Sequence, residues 1–307
     1  MTQLTYLHEV KRNPASVVTV GTFDGVHKGH KSLISRVVEK ARKRNARSVV
    51  VSFDPHPREI IDPDFSTKLL TTLEERRKIM GDLGVDLLVV IPFNRDFSLL
   101  SSEEFIKDVI YDKIGLMEFV IGYDHQFGRN REGGISTVTA LGKELGFDVH
   151  IVQAQEIHKV TVSSSTVRNT LEEKGNIQLV RQFLGRPYRI TGMVIHGEKR
   201  GRLLGYPTAN VKVDHPQKII PKNGVYAVDL CIEEKKYRGM MNIGVRPTFT
   251  EEERTLEVNI FDFDQDVYGK SIDILFLDRI RDERKFSGVE ELIAQLENDK
   301  ISCSRAE

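Results

Sequence analysis

Ser16-Val17-Val18-Thr19-Val20-Gly21-Thr22-Phe23-Asp24-Gly25-Val26-His27-Lys28-Gly29-His30 runs as a strand, a glycine-bounded turn and the opening of a helix. Ser16–Phe23 is rich in valine and stops at glycine, the pattern of a buried strand. Lys28–Asn45 then carries Leu33, Ile34, Val37, Val38 and Ala41 at helical spacing. A helix that starts where a strand ends offers unpaired backbone N–H groups and a positive dipole end, which together favour phosphate. Gly29 lets backbone come close to a ligand. His27 and His30 can donate hydrogen bonds to an α-phosphate and to a leaving pyrophosphate as charge builds there. A bare His-x-x-His also fits a metal pair or two surface histidines. Position after the Gly-Thr-Phe-Asp-Gly strand end favours the phosphate reading. Gly29-His30-Lys31-Ser32 departs from a Walker loop by an inserted histidine, and the first turn has no Gly-x-Gly-x-x-Gly.

Outward from this stretch, strand-like and helix-like segments alternate. Ser48–Phe53, Asp86–Phe93, Glu118–Gly122 and Val149–Ala154 read as strands, with helices over Leu73–Leu83 and Thr137–Leu145. Another helix starts at Ser101, where Ser101 and Glu104 match a capping box. Such alternation implies a parallel sheet with helices on both faces and a ligand at the carboxyl ends of its strands. One helical stretch, Thr166–Leu184, leads to Gly185-Arg186-Pro187, a breaker that places the domain boundary between residues 185 and 186. Beyond it, Tyr188–His196, Gly224–Cys231, Arg238–Ile243, Leu256–Phe263 and Ser271–Leu277 are short alternating segments, implying a compact antiparallel sheet or barrel. An amphipathic helix, Val289–Leu296, follows.

The second segment holds its own phosphate-handling pattern. Gly197-Glu198-Lys199-Arg200-Gly201-Arg202-Leu203-Leu204-Gly205 is a net-basic loop whose glycines allow backbone amides to wrap phosphate; a solvent-exposed hairpin tip fits it too. In Gly205-Tyr206-Pro207-Thr208-Ala209-Asn210, Thr208 and Asn210 point to one face of an extended chain. They offer two neutral oxygens to a hard cation beside phosphates, which suits magnesium, and Pro207 restrains the approach. Glu257 alternates with apolar Leu256 and Val258, a pattern that by itself describes a solvated outer face.

Across 307 residues, 45 basic and 45 acidic side chains cancel, so no nucleic-acid or membrane partner is implied. The basic run Lys40-Ala41-Arg42-Lys43-Arg44-Asn45-Ala46-Arg47 reads as the solvated end of a helix. Two cysteines, Cys231 and Cys303, supply neither a disulfide framework nor a metal knuckle. The first residues lack a signal-peptide pattern and no apolar run reaches membrane-spanning length, so the expected location is cytoplasmic. Oligomeric state, including a homo-oligomer, stays open.

With His27-x-Gly29-His30, the chain resembles the nucleotidyltransferase superfamily. Phe53-Asp54-Pro55-His56-Pro57, Gly122-Tyr123-Asp124-His125-Gln126-Phe127-Gly128 and Ser163-Ser164-Ser165-Thr166-Val167-Arg168 narrow the resemblance to bacterial bifunctional riboflavin kinase/FAD synthetases. The second half is similar to their kinase module through Gly205–Asn210, Asn223-Gly224-Val225-Tyr226, Asn242-Ile243-Gly244-Val245-Arg246-Pro247-Thr248-Phe249, Leu256–Phe263 and Arg281–Phe286. The resemblance covers nearly the whole chain. It implies an α/β nucleotidyltransferase domain with a Rossmann-like parallel sheet over residues 1–185, and a small antiparallel six-stranded β-barrel kinase domain over 186–307. It implies that His27 and His30 are catalytic in the first domain and that Glu257 is the base for the ribityl hydroxyl in the second. Nucleotide contacts fall to Gly21, Phe23, Asp24, Gly29, Asp124, Ser164 and Arg168, and to Gly197, Gly205, Pro207, Thr208 and Asn210. Ser165 replaces the family's usual threonine and keeps the hydroxyl; His125 stands where the family often has an apolar aromatic residue.

The expected function is phosphorylation of riboflavin by ATP to FMN, then adenylylation of FMN by a second ATP to FAD, with Mg2+ serving both steps. Three alternatives are a kinase with a non-functional adenylyltransferase domain, a flavin- or nucleotide-binding regulator, and nucleotide transfer to another small phosphate.

Overall fold

The computed structural model describes residues 2–62, 68–153, 156–157, 160–197, 205–233, 235–247 and 252–306. Two compact units divide the chain, Met1–Ser164 and Ser165–Glu307.

The first unit runs β1 (Gln3–Tyr6), β2 (Ser16–Val20), α1 (Lys28–Lys43), β3 (Arg47–Asp54), α2 (Pro57–Ile61), α3 (Leu73–Asp82), β4 (Leu87–Pro92), α4 (Arg95–Ser98) and α5 (Ser102–Glu104). A π-helical stretch, Phe105–Ile114, continues α5, and β5 (Glu118–Gly122), α6 (Ile135–Leu145) and β6 (Asp148–Val152) follow. The strands form one parallel sheet in the order β1-β4-β3-β2-β5-β6. Alternation sorts its side chains into two cores. Val18, Val20, Val49, Val51 and Phe119 pack with Ile106 and Ile110 on one face. Val17, Val50, Leu88 and Val120 pack with Ile34 and Val37 of α1 on the other. Helices therefore cover both faces, as the alternating pattern implies. β1 is an element the sequence pattern did not reveal: four residues leave too short a repeat to read, and pairing with β4 makes it a strand.

The capping box at Ser101 is present, with Ser101 N donating to Glu104 Oε2 at 2.8 Å and Glu104 N to Ser101 Oγ at 3.2 Å. The basic run at the end of α1 is not simply solvated. Lys40 Nζ lies 2.5 Å from Glu118 Oε1 and Arg44 Nε 3.2 Å from Glu118 Oε2, so both cations neutralise a carboxylate buried on β5. A small hairpin, β7 (Glu156–Ile157) with β8 (Val160–Thr161), precedes α7 (Ser164–Asn169).

The helical stretch 166–184 is interrupted. A π-turn, Thr170–Lys174, ends at Gly175, which takes φ +62°, and α8 (Ile177–Leu184) restarts from an Asn176 cap. Gly175 in the left-handed region terminates one helix as glycine commonly does. Then β9 (Tyr188–Ile195), β10 (Ala209–Val213), β11 (Gly224–Ile232), β12 (Lys235–Pro247), β13 (Glu252–Ile260) and β14 (Ser271–Arg281) close into an antiparallel barrel, β10-β13-β12-β11-β14-β9. Its interior is filled by residues such as Tyr226, Val228, Met241, Val258 and Phe276. A final helix, α9 (Val289–Arg305), covers Val225, Ala227 and Leu277 with Cys303 and Leu296.

Candidate active sites

In the first unit β3 and β4 lie to one side of β2, and β5 and β6 to the other. Strand order therefore reverses between β2 and β5, and ligands of open parallel sheets bind outside the carboxyl ends at such a point. The loop leaving β2 is built for it. Phe23 (φ +49°), Gly25 (φ +83°) and Val26 (φ +39°) all occupy the left-handed region. For a β-branched residue such as Val26 that conformation is strained, and it persists only where neighbours over-determine it. Here they do. The Asp24 carboxylate accepts from Leu70 N (3.1 Å) and Thr71 N (2.9 Å), and Gly25 N donates to Thr71 Oγ1 at 2.8 Å. A Cβ on Gly25 would fall 2.8 Å from Leu70 Cδ1. Arg76 Nη1 donates to Thr22 O (2.9 Å) and Ser52 Oγ (2.8 Å), tying the ends of β2 and β3 together.

His27 caps α1: its Nδ1 accepts from His30 N at 3.3 Å. The two imidazoles stack, with centroids 3.6 Å apart and planes 20° from parallel, and Phe23 meets His30 edge-on at 5.2 Å. Gly29 packs on the His27 ring, where a Cβ would lie 3.2 Å from Nδ1. Two cations could not share this stack cheaply. Burial pushes the His30 pKa well below its usual value, helped by His27 and then His125. His30 is thus a neutral imidazole, able to donate an N–H without bringing a charge. Ser164 Oγ donates to Asp24 O at 2.8 Å. Asp124 is exposed just past the end of β5, and Arg168 is half-buried on α7, in the second unit.

In the barrel, register assembles the second site. Asn210 on β10 pairs with Glu257 on β13, and Glu257 pairs with Asn242 on β12. Directly opposed residues share a face of the sheet, so three polar side chains form one row across three strands. Thr208 lies two residues before Asn210, just ahead of β10. Gly197, just past β9, packs so closely on Asn210 that a Cβ there would collide with its side-chain amide. Only a glycine leaves room for that amide. Asn259 Nδ2 donates to Pro207 O at 2.7 Å, holding the turn, and Gly205 takes φ +78°. Beside it lies a cleft of about 370 Å3, lined by Gly205, Tyr206, Pro207, Asn259, Phe261 and Lys300. The loop residues 198–204, and Thr248 and Phe249, lie outside the described residues.

The family model for FAD synthetase matches residues 9–166, and that for riboflavin kinase matches 184–306. The chain belongs to the bifunctional riboflavin kinase/FMN adenylyltransferase family. Relatives of that name include those of Bacillus subtilis, 39% identical over 97% of this chain and 95% of the relative, and of Escherichia coli K12, 36% identical over 97% and 95%. A solved structure described as a macrolide-efflux protein from Streptococcus pneumoniae is 34% identical with a TM-score of 0.90, covering 98% of this chain and 99% of that one. Among the described residues, no helix is long and apolar enough to cross a membrane.

For a member of this family, the fold brings together most of the residues picked out by motif. Phe23, Asp24 and His27 lie on the loop leaving β2, Gly29 and His30 in the first turn of α1, and Asn210 and Glu257 on one barrel face. Sequence reasoning missed Thr71, Arg76 and Asn242. Arg76 had left a signal: Leu73, Arg76, Met80 and Leu83 follow the spacing of a core-facing stripe on α3, and a cation in such a stripe needs a buried partner. Asn242 opens one of the motifs quoted above, but its place in the row is set by strand pairing.

Proposed function

We propose that the chain makes FMN and FAD in series at two separate sites, with the division of labour at residues 185/186. Residues 186–307 carry the kinase step. Glu257 accepts the proton of the ribityl 5′-hydroxyl as its oxygen attacks the γ-phosphorus of ATP, and ADP leaves. Thr208 and Asn210 fit a hard cation, since both offer neutral oxygens and Gly197 leaves the space that the Asn210 amide fills. Magnesium bound there would neutralise phosphate charge. The neighbouring cleft has a volume suited to a small molecule.

Residues 1–185 carry the adenylyl step. An oxygen of the FMN phosphate attacks the α-phosphorus of ATP, and the bond to the β-phosphate's bridging oxygen breaks to release pyrophosphate. His27 and His30 donate hydrogen bonds where charge grows. Backbone N–H groups at the start of α1 hold phosphate oxygens, with Ser164 and Asp124 placing the nucleotide. The stacked imidazole pair at the β2/β5 switch point carries this reading. We place the enzyme in the cytoplasm, where ATP and both flavins are at hand.

Purified protein incubated with riboflavin, ATP and magnesium, followed by chromatographic separation of the flavins, tests the proposal. FMN appearing first and FAD after it is the expected course. FMN without FAD would leave a kinase joined to a silent adenylyltransferase domain, and neither product would leave a binding protein.

A further inference from the structure

The switch-point crevice has a second wall, and it carries a histidine that the reaction above does not use. β5 runs parallel to β2 and hydrogen-bonds with it, so the segment leaving β5 faces the loop leaving β2. That segment is fixed: His125 N donates to Gly122 O at 3.2 Å, and Phe127 and Gly133 exchange N–H···O bonds of 3.0 and 2.9 Å. The His125 ring lies nearly parallel to Phe127, with centroids 6.0 Å apart. Although the residue is partly exposed, its Nε2 is shut off from solvent and has no hydrogen-bond partner. His30, on the β2 side and near enough for His125 to lower its pKa, has an Nδ1 in the same condition.

A buried polar nitrogen without a partner is costly and rare in a native structure. Two of them on opposite walls of one ligand crevice point to a ligand that satisfies both. Its chemistry follows from the surroundings: the start of α1 and the imidazoles of His27 and His30 offer hydrogen-bond donors, which suits polyphosphate oxygens, and the carboxylate beside His125 is that of Asp124. We infer that His125 is a third imidazole of the adenylyl-transfer site, whose Nε2–H donates to the polyphosphate of the bound nucleoside triphosphate and to the departing pyrophosphate. Phosphate binding selects the Nε2–H tautomer, and no proton is transferred. The inference rests on the adenylyl-transfer reading of this unit.

Burial holds the His125 pKa down at about 4, against the pull of Asp124 and together with Arg131. The group is therefore a neutral donor at neutral pH. A phenylalanine at 125 keeps the stacking and removes the N–H; glutamine restores an N–H.

The test uses the full chain with supplied FMN and varied ATP, and the reverse reaction with FAD and varied pyrophosphate. His125→Phe should raise the KM for ATP and for pyrophosphate by about tenfold or more. The KM for FMN and the rate of riboflavin phosphorylation should stay at their wild-type values, and His125→Gln should recover most of the loss. Wild-type KM values in His125→Phe, or equal impairment of the Phe and Gln variants, would overturn the inference. Calorimetric titration with inorganic pyrophosphate reads the contact without turnover. Weaker binding to His125→Phe supports it even if the wild-type protein makes no FAD, which would count against the adenylyl reading alone. Equal binding overturns it.

Discussion

Asn210 and Glu257 stand directly opposite each other across β10 and β13. The pairing puts a neutral amide beside the carboxylate expected to take the hydroxyl proton, on a face that also holds Asn242. Glu257→Gln keeps the shape and removes the base. Riboflavin phosphorylation should fall about a hundredfold or more, while FAD formation from supplied FMN persists. Chromatographic assay of both products on the same protein checks this, and loss of both reactions in a folded chain would contradict separate sites.

Arg76 should matter to one reaction only. Its buried guanidinium joins Thr22 O to Ser52 Oγ and lies 3.8 Å from Oδ1 of the more exposed Asp54. Arg76→Leu would leave Thr22 O and Ser52 Oγ without their cation and release the strained turn at Phe23–Val26. A loss of roughly 2–3 kcal/mol in stability is expected from charged hydrogen bonds of this kind. FAD formation should drop with it, and FMN formation should hold. Urea unfolding together with the two assays separates the effects.

How much of this could be read without coordinates depended on the range of the interaction. The β2 loop was legible because its determinants are local: a valine-rich strand, glycines, and histidines three residues apart. Glu118 as the partner of Lys40 and Arg44 was not, since those cations sit on α1 and their anion on β5. The same distance hid Asp24's bonds to residues 70 and 71. In the barrel, period-two alternation gave Glu257 to the outside, which is a correct statement about one strand. Only closure of six strands turns that outside face into a row with Asn210 and Asn242. The break at Gly175 was visible as a glycine followed by asparagine, yet apolar spacing continued through it and masked the stop.

Asp299 is the anchor of the last helix. It is 1% exposed, and Arg281 grips it through Nε at 3.0 Å and Nη2 at 2.7 Å, with Gln295 Nε2 adding a bond of 2.6 Å. Removing one member of such a buried pair strands the other's charge. Asp299→Ala should therefore destabilise the barrel unit by about 3–5 kcal/mol, seen as a lower thermal midpoint and as loss of FMN formation before FAD formation on heating.

Acid should loosen the first unit through its histidines. The folded chain holds His30 and His125 neutral, with pKa values lowered from 6.5, the latter to about 4, chiefly by burial. Below 6.5 the unfolded chain takes up protons that the folded chain refuses, so folding weakens as pH falls. Their contribution is complete above pH 6.5 and is lost as pH drops through the folded-state values. For His125 alone the loss reaches about 3 kcal/mol near pH 4. His27 and Arg131 oppose a charge at this place and Asp124 favours one, so the net direction is set by burial and the cations together. Thermal midpoints measured from pH 8 to pH 5 should decline less steeply in His125→Phe than in the wild-type chain. Parallel profiles would show that His125 takes up its proton as readily in the folded protein as in the unfolded one.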